Sequence, residues 1–64
     1  MLRFYVDKVR LEKGMSLKTL SDKSGVSKSH IQKIEARETS PSLEVMCKLA
    51  KALGVPVRDL FSYE

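Results

Sequence analysis

The chain has 64 residues, 42% hydrophobic and 31% charged, and its 12 Lys and Arg against 8 Asp and Glu leave a formal net charge of +4 and an isoelectric point near 9.5. This length suits one domain over residues 1–64, close to the size below which a core needs staples, yet the single cysteine, Cys47, and the lack of any Cys/His cluster exclude a disulfide framework and a structural metal site. No apolar run approaches the ~20 residues that span a bilayer, and Met1 to Tyr5 is too short and too quickly charged for a secretory segment, so no membrane partner and a cytoplasmic location are expected.

Apolar residues recur at three- and four-residue intervals, and alternation over five or more positions is missing, so the chain reads as all-α with five helices. The first covers roughly Leu2 to Lys13, with Leu2, Val6 and Val9 on one stripe and Phe4 and Leu11 on a second. Gly14 stops it, because glycine accepts the left-handed conformation common just past a helix end. Ser16 is placed to cap a second helix, Leu17 to about Ser24, by offering its hydroxyl to an orphan amide of the first turn. Gly25 breaks that helix, and after a turn of three to four residues Ser27 caps a third, running from Lys28 to about Ala36. Its Ile31 and Ile34 face a core with Leu20 and Val26, while Lys28, Ser29, Gln32 and Lys33 point the other way as a contact surface.

After the loop Glu38 to Pro41, Ser42 caps a fourth helix whose Leu43, Met46, Leu49, Ala50 and Leu53 make an unbroken core stripe ending at Gly54. Pro56 leads into a short fifth helix near Val57 to Phe61. Met15 and Met46 read as core fillers, and Cys47 as a half-buried small hydrophobe. Phe4, Tyr5, Leu11 and Tyr63 exceed what the stripes need, which leaves two readings: a dimer patch with the last helix, or packing at the edge of the core.

The joint spacing of Val6, Val9, Arg10 and Gly14, of Ser16, Leu20, Gly25-Val26-Ser27, Ile31, Ile34 and Glu35, of Pro41-Ser42-Leu43, and of Leu49 to Val55 and Leu60-Phe61 resembles the Cro/repressor-type, or XRE-like, helix-turn-helix family over nearly the whole chain. The resemblance implies a compact five-helix, lambda-repressor-like bundle with the helix-turn-helix at about residues 17–36. It further implies a sequence-specific transcriptional regulator, a repressor, that binds double-stranded DNA as a homodimer on a roughly palindromic operator, its third helix in the major groove. The pair matching Arg10 and Glu35 forms, in proteins this chain resembles, a structural salt bridge between helix 1 and the end of the reading helix. Four positions depart from the family pattern: Leu17 stands where glutamine is frequent, Ser21 where alanine or glycine is, Ser24 where an aliphatic is, and Arg37 where glycine is. Arg37 therefore either takes a left-handed conformation or prolongs the helix by part of a turn.

Base readout needs donors and acceptors on the first two turns of the reading helix, which Lys28, Ser29, Gln32 and Lys33 supply; Lys33 is equally suited to phosphate. Candidate backbone anchors are Ser16, Leu17 and Lys18 at the start of the second helix, Ser27 and His30, and Arg37, Thr39 and Ser40 in the following loop. A phosphate beside His30 favours its imidazolium; the other reading is an ordinary, partly exposed histidine. The basic excess agrees with a polyanionic partner and equally with a solvated surface. One histidine, one cysteine, no glycine-rich phosphate loop and no carboxylate pair in an evident pocket argue against an enzyme, and no cofactor or small-molecule ligand is indicated. The alternative is a protein-interaction module, such as the small antitoxin-like partner of a toxin–antitoxin pair.

Overall fold

Three serines start three helices. The amides of Thr19, His30 and Val45 donate to Ser16, Ser27 and Ser42 Oγ at 3.1, 3.2 and 3.2 Å, each satisfying an orphan donor of a first turn. In the computed structural model, which describes residues 1–64, these caps open α2 (Leu17–Ser24), α3 (Lys28–Glu35) and α4 (Leu43–Leu53), preceded by strand β1 (Leu2–Phe4) and α1 (Val6–Glu12). A single 3₁₀ turn (Val57–Leu60) and strand β2 (Phe61–Tyr63) complete the order. No helix is long and apolar enough to cross a membrane.

One cluster of 11 buried residues holds the helices together: Val6 and Val9 of α1, Leu20 of α2, Val26 of the turn, Ile31 and Ile34 of α3, Met46, Leu49, Ala50 and Leu53 of α4, and Leu60. It contains no polar side chain. At about 1.5 to 3 kcal/mol per buried aliphatic, this cluster is the main source of stability in a chain with a single, free cysteine and no cluster of metal-ligating side chains.

The structure corrects the sequence reading at both ends. There are four α-helices, not five, and the fold is mostly helical with a small antiparallel ribbon in which Leu2 lies opposite Tyr63, Arg3 opposite Ser62 and Phe4 opposite Phe61. The first helix starts at Val6 rather than Leu2, after Tyr5, whose side chain makes no capping bond. Leu2 to Phe4 instead pair with Phe61 to Tyr63, which takes Phe61 from the end of the expected fifth helix and leaves Val57 to Leu60 as the 3₁₀ turn. Pairing wins because it ties the ends through several bonds at once. The Tyr5 amide donates to the Leu60 carbonyl at 2.8 Å, the Glu64 amide to the Met1 carbonyl at 2.8 Å, and the Tyr5 hydroxyl lies 2.7 Å from Ser62 Oγ. Arg3 Nε pairs with Glu64 Oε2 at 2.8 Å, and Phe4 and Phe61 both pack on the core.

Three smaller expectations also change. Leu43, placed in the α4 core stripe, is exposed because it is the first residue of the helix and projects beyond the turns that other elements cover. Cys47 is exposed rather than half-buried, since one step past Met46 rotates it about 100° off the apolar stripe. Met15 packs against the core but stays partly exposed. Of the surplus apolar residues, Phe4 and Tyr5 sit at the core edge, whereas Leu11 and Tyr63 are exposed.

Candidate nucleic-acid interface

The joint between α2 and α3 is built on Gly25 and Val26. Gly25 has φ +75°, a conformation costly for any residue with a Cβ, and its amide closes α2 on the Ser21 carbonyl at 3.0 Å. Val26 is buried, so its backbone polar groups need partners. Two serines supply them: Ser21 Oγ donates to the Val26 carbonyl at 2.7 Å, and the Val26 amide donates to Ser24 Oγ at 3.1 Å. Sequence reasoning had given these two hydroxyls no such role. The legible signal was a serine two residues before an apolar turn residue, the spacing of a local side-chain turn.

On α3, burial of Ile31 and Ile34 turns the opposite face outward. Lys28, Ser29, Gln32 and Lys33 are all exposed, and their i, i+1, i+4, i+5 spacing puts them side by side across the first two turns. None of the four makes a side-chain hydrogen bond or ion pair within the chain. His30 flanks them, half-buried.

The remaining candidates differ in exposure and in what already engages them. Ser16, Lys18, Ser27 and Ser40 are exposed and Thr39 is half-buried. Ser16 Oγ also donates to Thr19 Oγ1 at 2.9 Å, so this hydroxyl is engaged in the cap. Leu17 packs its side chain on the core and leaves only the backbone amides of the α2 N-terminus for an anion. Arg37 adopts φ +62°, resolving the choice at that position in favour of a left-handed non-glycine residue, and α3 ends at Glu35. The Arg37 guanidinium reaches back to β1, donating from Nη1 to the Phe4 carbonyl at 3.1 Å.

Arg10 and Glu35 connect this face to the scaffold. Arg10 Nε and Nη2 donate to Glu35 Oε2 and Oε1 at 2.8 and 3.1 Å, and Nη1 donates to the Met15 carbonyl at 3.0 Å. Both side chains are only 13% exposed. The hydrogen bond to Glu35 raises the Arg10 pKa against the lowering effect of burial, with further help from the charges of Glu35 and Asp7. This two-pronged fork fixes both position and orientation of the last turn of α3 on α1.

A capped helix, a left-handed turn and a second helix with an outward polar face define a class. The chain belongs to the XRE-type helix-turn-helix family, whose model, described as Helix-turn-helix, matches residues 6–60. It is 38% identical over 58 residues to the HTH-type transcriptional regulator SinR of Bacillus licheniformis, covering 89% of this chain and 52% of that protein. It is 37% identical over 54 residues to the HTH-type transcriptional regulator SutR of Escherichia coli (strain K12), covering 84% of this chain and 30% of that protein. The chain thus spans about half, or less, of the length of the curated relatives it matches. Its fold is similar to the crystal structure of the restriction-modification controller protein C.AhdI from Aeromonas hydrophila, with a TM-score of 0.81 and 33% identity over 84% of this chain and 82% of that one. The family match begins with α1 and ends with the 3₁₀ turn, so both strands of the ribbon lie outside it.

Proposed function

We propose that residues 1–64 act as one sequence-specific double-stranded DNA-binding domain of a transcriptional regulator, a repressor that engages a roughly palindromic operator as a homodimer. The observation that carries this reading is the outward face of α3, where Lys28, Ser29, Gln32 and Lys33 stand exposed without partners in the chain. Lysine donates to guanine O6 and N7, glutamine pairs with adenine N6 and N7, and serine serves either. The backbone amides at Leu17 and Lys18, with Ser16, Ser27, His30, Thr39, Ser40 and the charge of Arg37, hold phosphates on either side and set register. SinR and SutR are transcriptional regulators by name and C.AhdI a restriction-modification controller, which supports a regulatory role over a catalytic one.

Fluorescence anisotropy on an operator and on scrambled DNA, at several salt concentrations, tests the reading. A regulator loses affinity for both as salt rises and prefers the operator by ~10³-fold or more. Equal affinity for both sequences would leave only non-specific electrostatics.

A further inference from the structure

Polar contacts hold α3 at both ends, by different chemistry. Its last turn is fixed to α1 by the fork from Arg10 to Glu35. Lys28 lies about 10 Å along the axis from that fork, so the first turn needs a tether of its own. The turn leading into it centres on Val26, whose side chain is buried and whose backbone groups make no hydrogen bond to the backbone of the chain. The cap explains the carbonyl side: the His30 amide, four residues on, donates to Ser27 Oγ instead of to Val26. Both polar groups of Val26 are handed to side chains of α2, the amide donating to Ser24 Oγ at 3.1 Å and the carbonyl accepting from Ser21 Oγ at 2.7 Å. The Ser21 carbonyl also accepts the Gly25 amide at 3.0 Å, so a single residue of α2 grips the turn at two successive positions. Both serines are half-buried, which limits competition from water.

We infer that Ser21 and Ser24 are positioning residues for base readout: their hydroxyls fix the angle between α2 and the first turn of α3, and so set specificity without touching DNA. A serine hydroxyl is one staggered torsion away from the backbone, so a bond from a helix to the Val26 carbonyl leaves the turn little freedom. The two kinds of DNA contact respond differently when that freedom is restored. A phosphate contact rests on charge and survives a small shift, whereas a bidentate base contact needs two hydrogen bonds near ~2.9 Å at the same time. Loosening the turn therefore weakens binding to the right sequence and spares binding to any other. The fork at Glu35 does not compensate, because Lys28 and Ser29 sit at the opposite end of the helix.

The inference rests on the reading of α3 as the helix that contacts bases. Fluorescence anisotropy on the operator and on a scrambled duplex tests it, for wild type, Ser21→Ala, Ser24→Ala and Tyr5→Phe, at a temperature where far-UV circular dichroism shows each protein fully folded. Alanine is the best helix former, so the serine variants keep α2 and lose only an Oγ. Tyr5→Phe is the control for lost stability alone, since it removes a hydroxyl bond of 2.7 Å, to Ser62, from the ribbon. Each serine variant binds the operator about tenfold more weakly, the effect of one misaligned base contact, while affinity for the scrambled duplex stays within about twofold. Tyr5→Phe binds both duplexes as wild type does. Operator affinity unchanged in both serine variants overturns the inference and confines the hydroxyls to folding; an equal fall on both duplexes, or the same operator loss in Tyr5→Phe, overturns it as well. These outcomes leave base reading by α3 standing. A wild type that does not distinguish the two duplexes overturns that reading itself, and the inference with it.

Discussion

Glu35→Ala removes both carboxylate prongs of the fork and leaves the Arg10 guanidinium, 13% exposed, with only the Met15 carbonyl. Charge-assisted hydrogen bonds contribute about 1.5 to 3 kcal/mol each before repair by water, and stranding one member of a largely buried pair costs about 3 kcal/mol. A domain of this size has about 3 to 5 kcal/mol in total, and each kcal/mol moves Tm by about 4 to 8 °C, so the expected fall is about 12 to 24 °C. Thermal denaturation followed by far-UV circular dichroism, backed by urea unfolding, measures it. The double variant Arg10→Met/Glu35→Leu recovers at least half of the loss, because it removes the stranded charge and fills the space with apolar volume. The pKa direction sets the pH dependence. Raising the folded-state value of a cation stabilises below its unfolded value and is lost only as pH rises through the folded one. Since both lie far above neutrality, the Arg10 contribution is constant from pH ~6 to ~10. A Tm within about 2 °C of wild type for Glu35→Ala would refute the reasoning, since two charged bonds cannot vanish from a site this dry at so small a cost.

Gly25→Ala is expected to cost about 1 to 2 kcal/mol in urea unfolding from left-handed strain alone, because a Cβ there meets nothing within 4 Å; a neutral result would mean the turn relaxes freely. Gln32→Ala should relax preference at one base pair per half-site by about 1 to 3 kcal/mol, read by competition with single-base operator variants, and a uniform loss at all positions would assign Gln32 to the backbone instead. Arg37→Gly relieves strain at φ +62° but gives up the exposed bond to the Phe4 carbonyl, terms of about 0.5 to 1 kcal/mol each, so stability stays nearly level. The slope of log affinity against log salt for that variant falls by about 1 if Arg37 holds a phosphate and is unchanged if its role is confined to β1.

The central part of the fold was legible because each signal there is local. Ser16, Ser27 and Ser42 each precede an apolar-periodic run and each caps a helix, and Gly25 and Gly54 end helices in the left-handed region that glycine favours. The placement of Ile31 and Ile34 inward and of Lys28, Ser29, Gln32 and Lys33 outward followed from the 3.6-residue period. The ends were illegible for the converse reason. Three-residue strands are too short to show alternation, and Leu2 meets its partner Tyr63 only across the whole length of the chain. The bonds of Ser21 and Ser24 to Val26 escaped because their purpose appears only once Val26 is known to be buried. Arg37 offered two conformations to sequence reasoning: the left-handed one lets its amide donate to the Ile34 carbonyl and the Glu38 amide to the Lys33 carbonyl, and its side chain then reaches the Phe4 carbonyl of β1, a strand whose existence was not foreseen.

Whether the outward face of α3 reads base sequence is decided by selection of binding sites from random duplex DNA. The expected result is enrichment of one motif, two inverted half-sites with centres ~10 bp apart, that shifts at defined positions when Lys28, Ser29 or Gln32 is replaced by alanine. A pool that binds in low salt but shows no enriched motif, or a motif unchanged by all three substitutions, would contradict it.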